Sequence, residues 1–235
     1  MSSSNRKLFS PRTEMIIAEP DLQPAPRRPA IACPEIPAFA AEDDLGSIRA
    51  AFQPSPARVL RQAWRENEEA DFAPATVRLG WRGEMFLVFA ELTDADIATT
   101  ATAPNERLWE LGDAFEMFLK ASGQDAYVEF QVAPNNQRLQ MRFGESLSGV
   151  LLPGELFRSR TWVQPESQQW FVFAQIPAAS IDRAPASLRG AQWRCSFARY
   201  DYTRGRREPV ISSTSPHTRP DFHRQQEWDL VRFGF

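Results

Sequence analysis

Six long polar side chains recur at alternate positions on three neighbouring stretches of this 235-residue chain. They are Glu116, then Glu129 and Gln131, then Arg138, Gln140 and Arg142. Carboxylates, amides and guanidinium groups at that spacing both donate and accept hydrogen bonds, as recognition of a polyhydroxylated ligand requires. Rings lie nearby in sequence: Trp109, Tyr127 and, towards the C-terminus, Phe222, His223 and Trp228. Each can stack on the C–H face of a sugar or pack in a core. Asp113 and Glu116 also offer a carboxylate pair of the kind used in glycoside hydrolysis. A turn-capping Asp and a surface-facing Glu account for the two more simply.

Other chemistries find little support. The chain has no G-x-S-x-G elbow, phosphate-binding loop, G-x-G-x-x-G fingerprint or H-E-x-x-H helix. Its two histidines, His217 and His223, lie six apart, which is a poor zinc spacing. No activated nucleophile or base stands out, and no cofactor is implied. Cys33 and Cys195 are too few for a disulfide framework, and Cys195 falls in phase with Trp193 and Phe197 as a small buried residue. A net charge of -3 gives no reason to expect nucleic acid or an anionic membrane as partner. Residues 194–224 depart from this balance, with seven arginines against Asp201, Glu208 and Asp221. A solvated loop face is the plainest account of them. No apolar run reaches membrane-spanning length, and the first residues lack the apolar centre of a secretory signal.

The elements that must hold these residues read as strands. LWELGDAFEMFLK, YVEFQV and QRLQMRF each alternate apolar and polar residues, the period of a strand with one buried face. On that reading Phe115, Met117 and Leu119 share an apolar face with Val128, Phe130 and Val132, and with Leu139, Met141 and Phe143. Glu116, Glu129, Gln131, Arg138, Gln140 and Arg142 then share the opposite, polar face. Ser122–Asp125 and Pro134–Asn136 supply the turns.

Further strands follow from TVRLGW, EMFLVFAEL (apolar throughout, hence covered on both sides), LFRSRTWV, WFVFAQI, AQWRCSFARY, PVIS and EWDLVRF. Two helices are expected, one over Asp44–Phe52 and one opening at Ser55-Pro56 and running past Trp64. Residues 1–37, with seven prolines, read as an arm, and 38–235 as one domain. The expected fold is all-β: an antiparallel sandwich, immunoglobulin- or jelly-roll-like, of roughly ten strands with a few short helices.

WELGDAFEMFL, YVEFQVAPNN, WRCSFARYD and the closing ISSTSP…DFHRQQEWDLVRF, taken in that order, resemble the family 9 carbohydrate-binding modules and their DOMON-like relatives. The resemblance covers about residues 75–233. It implies a β-sandwich that binds an oligosaccharide or polysaccharide without catalysis. It points to Trp109, Glu116 and Arg138, then to Gln140 and the segment from Phe222 through His223 to Trp228. It departs where Glu227-Trp228-Asp229 replaces a glycine turn and where the usual opening of the module is missing. Some relatives hold structural calcium, but the sequence offers no ligand series to place one. The alternatives to sugar binding are a protein-interaction or assembly sandwich and a carboxylate-dependent glycoside hydrolase.

Overall fold

A computed structural model describes residues 29–40, 42–144, 147–181 and 188–234. Numbered in chain order, the strands are β1 (Ile31–Cys33), β2 (Arg58–Val59), β3 (Ala75–Arg82), β4 (Met85–Thr93), β5 (Ala114–Ala121), β6 (Tyr127–Val132) and β7 (Arg138–Phe143). They continue with β8 (Gly149–Leu151), β9 (Arg158–Gln164), β10 (Gln169–Pro177), β11 (Gln192–Asp201), β12 (Val210–Ser213) and β13 (Asp229–Phe233). Two α-helices are short, α1 (Leu45–Ala51) and α2 (Leu108–Leu111). Among the described residues no helix is long and apolar enough to cross a membrane.

The strands form two sheets. One has the order β1-β13-β11-β5-β6-β7-β8, with β12 also paired to β11; the other runs β2-β3-β4-β10-β9. Every pairing is antiparallel except β1 with β13. The all-β sandwich expected from the alternations is therefore the fold. Phe115, Met117 and Leu119 of β5 and Val128, Phe130 and Val132 of β6 face Val77, Leu79 and Trp81 of β3 and Phe86 and Val88 of β4 across one core. The uniformly apolar β4 lies between β3 and β10. Its Leu87 and Phe89 back onto a second cluster with Ile48 and Phe52, supplied by α1 and its C-cap. Asp44 caps that helix, accepting from the Ser47 N–H at 2.9 Å.

Three expectations are corrected. Ser55 caps no helix: its hydroxyl donates to the Leu79 carbonyl at 2.6 Å and accepts from the Leu79 N–H at 3.1 Å. The segment after it runs extended as β2, burying Leu60 in the core. The proline-rich arm does not reach residue 37, because Ile31–Cys33 joins β13 and Cys33 enters the core; the part of the arm within residues 1–28 lies outside the described residues.

The third correction is the register of β7. Val132 pairs with Arg138, Phe130 with Gln140 and Val128 with Arg142. Ala133 to Gln137 form a loop of five residues, so even-numbered positions pair with even-numbered ones. Side chains alternate with period two, and a shift of one residue exchanges the faces of a strand. Arg138, Gln140 and Arg142 accordingly lie on the face of Val128 and Phe130. Leu139, Met141 and Phe143 lie with Tyr127, Glu129 and Gln131 on the outer face.

Candidate functional site

The outer face of the eight-stranded sheet carries a cleft of about 570 Å³. Its floor comes from Glu116 and Phe118 on β5, Glu129 on β6 and Met141 and Phe143 on β7. Trp109 and Arg107 bound one side, and Asp221, Phe222 and His223 bound another, with Tyr200 of β11 also lining it.

Glu116 and Glu129 are each only 3 % exposed, and one amide holds them together. The fully buried Gln131 donates from Nε2 to Glu116 Oε1 at 2.7 Å and to Glu129 Oε1 at 2.5 Å. Antiparallel pairing makes this possible, since Glu116 sits opposite Gln131 and Glu129 is two residues along the same face of β6. Burial, then the charge of Glu129, push Glu116 well above the usual carboxylate range, against the Gln131 bond. Burial raises Glu129 to about 7. Both shifts run in the direction expected of two carboxyls buried side by side, which cannot both ionise cheaply.

The aromatic residues divide by exposure. Trp109, on α2, is half-buried at the cleft edge, with the Arg107 guanidinium 5.9 Å from its ring centre. Gly112 ends that helix at φ 140°, and a Cβ there would lie 2.4 Å from the Ala98 carbonyl oxygen, so only glycine lets the loop pass. Trp228 and Phe222 are buried, at 2 % and 4 % exposed, and are packing residues more than platforms. Trp228 stands edge-on to Tyr127 and donates from Nε1 to the Phe222 carbonyl at 2.8 Å. The Tyr127 hydroxyl meets His223 Nδ1 at 2.6 Å, and burial lowers the pKa of that imidazole, keeping it neutral.

Arg138, Gln140 and Arg142 do not reach this cleft. Arg138 Nη1 donates to Glu155 at 2.7 Å and to the Phe157 carbonyl at 2.9 Å. Gln140 donates to the carbonyls of Leu152 and Gly154 and accepts from the Leu156 N–H. Arg142 donates to the Ser180 carbonyl at 3.4 Å. All three fasten the crossing segments to β7 from the inner side. Phe118, Tyr200 and Asp221 were not singled out from the sequence. Phe118 left a trace there, being an apolar residue in the polar phase of β5.

Two further polar groups set the walls. His217 Nδ1 lies 3.0 Å from Glu227, and its Nε2 lies 3.4 Å from the Ser196 hydroxyl. The order Ser, His, Glu has the form of a catalytic triad. Yet Ser196 and His217 are wholly buried and outside the cleft, so no substrate carbonyl can approach the hydroxyl. What the group does is hold the segment that carries Phe222 and His223. Burial alone would raise Glu227, but bonds from Arg224, Thr218 and His217 outweigh it and hold the carboxyl at about 2.

The second group is Asp94, Asp113 and Asp201, whose carboxylate oxygens lie within 4.8 Å of one another. Arg199, 1 % exposed, faces Asp94 at 3.1 Å and Asp201 at 2.9 Å. Asp113 accepts from the N–H groups of Ala98 at 2.6 Å and Tyr202 at 2.8 Å, and the Tyr202 hydroxyl donates to the Trp109 carbonyl at 2.6 Å. Calcium takes six to eight oxygens. Here the oxygens face a guanidinium or backbone N–H groups, so the residues present do not fit one. Asp113 is thus committed to supporting α2 and forms no pair with Glu116 in the cleft. Nor is the arginine-rich stretch simply solvated: Arg199 is buried, and Arg206 meets Glu69 and Asp71.

Neither a scan against family models nor a search of curated proteins finds a match for this sequence. Solved structures do resemble it. A "putative carbohydrate-binding protein" of Bacteroides uniformis superposes with a TM-score of 0.73 at 16% identity, over 86% of this chain and 98% of its own. A family 9 carbohydrate-binding module of Caldicellulosiruptor kristjanssonii, solved with cellotriose, gives 0.58 at 15% identity, over 87% of this chain and 93% of its own. A structure of a family 9 module from that organism with glucose gives 0.55 at 15%, over 87% and 96%. The fold is that of the family 9 modules.

Proposed function

We propose that the protein is a non-catalytic saccharide-binding domain and that its site is the cleft on the outer face of the eight-stranded sheet. The observation that carries this reading is a half-buried Trp109 beside a carboxylate–amide floor in a cleft of about 570 Å³. Such a site offers a ring for C–H stacking and acceptors for hydroxyls. The likeness to modules solved with glucose and cellotriose supports it at the level of the fold. Catalysis is disfavoured because Glu116 and Glu129 are tied to one amide and approach a ligand from the same side. Hydrolysis needs carboxyls flanking the scissile bond.

The test is calorimetric titration of a broad panel of soluble oligosaccharides. Trp109→Ala is expected to weaken binding by about 2 kcal/mol, as truncation of an aromatic anchor commonly does. Its melting temperature should stay close to that of wild type. No binding across the panel would remove the saccharide reading, and release of new reducing ends would replace it with hydrolysis.

A further inference from the structure

The floor of the cleft gathers acidity without a cation to match. Glu116 and Glu129 are buried side by side, and among the described residues their hydrogen-bond partner is the neutral Gln131 amide and neither enters an ion pair. The charged residues lining the cleft are Glu116, Glu129, Asp221 and Arg107; Arg107 is turned to Glu110 at 3.2 Å and Asp221 is paired with Arg219 at 3.3 Å, which leaves the two glutamates unmatched. The groups facing the pair from neighbouring elements are Tyr127 of β6, Tyr200 of β11 and, beyond them, Asp221 and a neutral His223. None of these supplies positive charge. Beneath the cleft, Gln131 Oε1 is a buried acceptor with no donor among the described residues.

We propose that the cleft selects saccharides bearing an unmodified amino group, whose ammonium is received by the Glu116–Glu129 pair beneath the aromatic walls. The inference rests on the saccharide reading of the same cleft. An ammonium brings three N–H donors to a place crowded with acceptors, and its charge offsets the cost of ionising two buried carboxyls. Trp109 and Tyr200 add ring faces that attract a cation. A hydroxyl at the same position donates one hydrogen bond and neutralises nothing, so the pair must keep a proton. Amine binding therefore releases a proton that binding of a neutral sugar does not.

The experiment compares three β-1,4-linked oligosaccharides of equal length: glucosamine, N-acetylglucosamine and glucose oligomers, titrated by calorimetry at pH 5.5, where the free amine is already an ammonium, in two buffers of different ionisation heat. The expected result is at least tenfold tighter binding of the glucosamine oligomer, with proton release seen only for that ligand and a preference that shrinks with added salt. Glu129→Gln should bring the ratio of glucosamine-oligomer to glucose-oligomer affinity close to one, whatever it does to the binding of the neutral oligomer. Should that variant not fold, Glu116→Gln provides the same comparison. Equal or tighter binding of the glucose oligomer by wild type would overturn the proposal and leave saccharide binding standing. So would a preference that survives in both variants. If none of the three oligomers binds, the amino-sugar proposal falls together with the reading beneath it.

Discussion

Two buried acidic clusters flank β5, and they are balanced in different ways. Asp94, Asp113 and Asp201 have Arg199 among them, at 2.9 to 3.1 Å from two of the three carboxylates. Among the described residues Glu116 and Glu129 have only an amide. The first cluster carries its own cation: Arg199 stands within ion-pair distance of Asp94 and Asp201, although Asp94 Oδ2 and Arg199 Nε and Nη2 make no hydrogen bond among the described residues, and Asp113 and Tyr202 tie the cluster to α2. The second lines an open cleft and is left short of positive charge. Burial of charge is tolerated where a partner is built in, and a shortage next to open space marks where a partner from outside would be received.

The largest expected effect tests the self-contained cluster. Arg199→Met should cost about 3–5 kcal/mol of stability, because removing one partner leaves buried carboxylates uncompensated. Urea denaturation measures it. A loss below about 1 kcal/mol would mean that the aspartates balance themselves by holding protons, and the contrast between the two clusters would vanish.

The second effect concerns pH. Glu116 and Glu129 have folded pKa values above their unfolded ones, with Glu129 at about 7, so their contribution is present at low pH and is lost as pH rises through that value. Asp113, also raised to about 7, chiefly by burial and then by Asp94, adds a fall of the same sign. The carboxylate pair is isolated by comparison with Glu129→Gln. That variant should lose less stability than wild type between pH 5 and pH 7.5, the window set by the ordinary and raised values of Glu129, by on the order of 2 kcal/mol. Parallel pH profiles would show that water reaches the pair and that its charge is already solvated.

How much of this was legible in the sequence depended on which physical signal carried it. Period-two alternation placed Phe115, Met117, Val128 and Phe130 inside and Glu116, Glu129 and Gln131 outside, as the sheet has them. It failed on QRLQMRF because both faces of β7 are covered. Leu139, Met141 and Phe143 pack under outer-face aromatics and α2, while Arg138 and Gln140 bond to the segment 152–157. Apolar character there no longer meant the core of the sandwich. Loop length did not help, because with the strand read from Gln137 the gap after Val132 counts four residues, whereas the pairing of Val132 with Arg138 leaves five and the opposite parity. Ser55 misled for a related reason: a capping hydroxyl satisfies a strand's backbone as readily as a helix's, and Leu79 was in reach. The Arg199 cluster draws in Asp94 and Asp113 from distant parts of the chain, and His217 meets Glu227 across a loop, so no local pattern announces either contact.

The smallest effect is expected at Arg138, and it tests the register on which the cleft depends. The resemblance to family 9 modules pointed to this residue as a sugar contact, which would make Arg138→Ala costly for binding. The structure instead puts its side chain on the inner side of β7, with 31% of it exposed, paired to a Glu155 side chain that is 53% exposed. Exposed ion pairs contribute between about 0 and 1 kcal/mol, so the substitution should lower stability by no more than about 1 kcal/mol. The Phe157 carbonyl loses a donor, but it lies on a segment that Gln140 still holds at Leu152, Gly154 and Leu156. Affinity for any ligand of the cleft should be unchanged, in contrast to the loss expected for Trp109→Ala. A tenfold loss of affinity in Arg138→Ala without a change in melting temperature would mean either that the ligand sits in the separate cleft of about 230 Å³ that Arg138 lines with Glu155 and Arg158, or that β7 pairs one residue out of register. That shift would bring Arg138 and Gln140 to the outer face and supply the cation that the Glu116–Glu129 floor otherwise lacks.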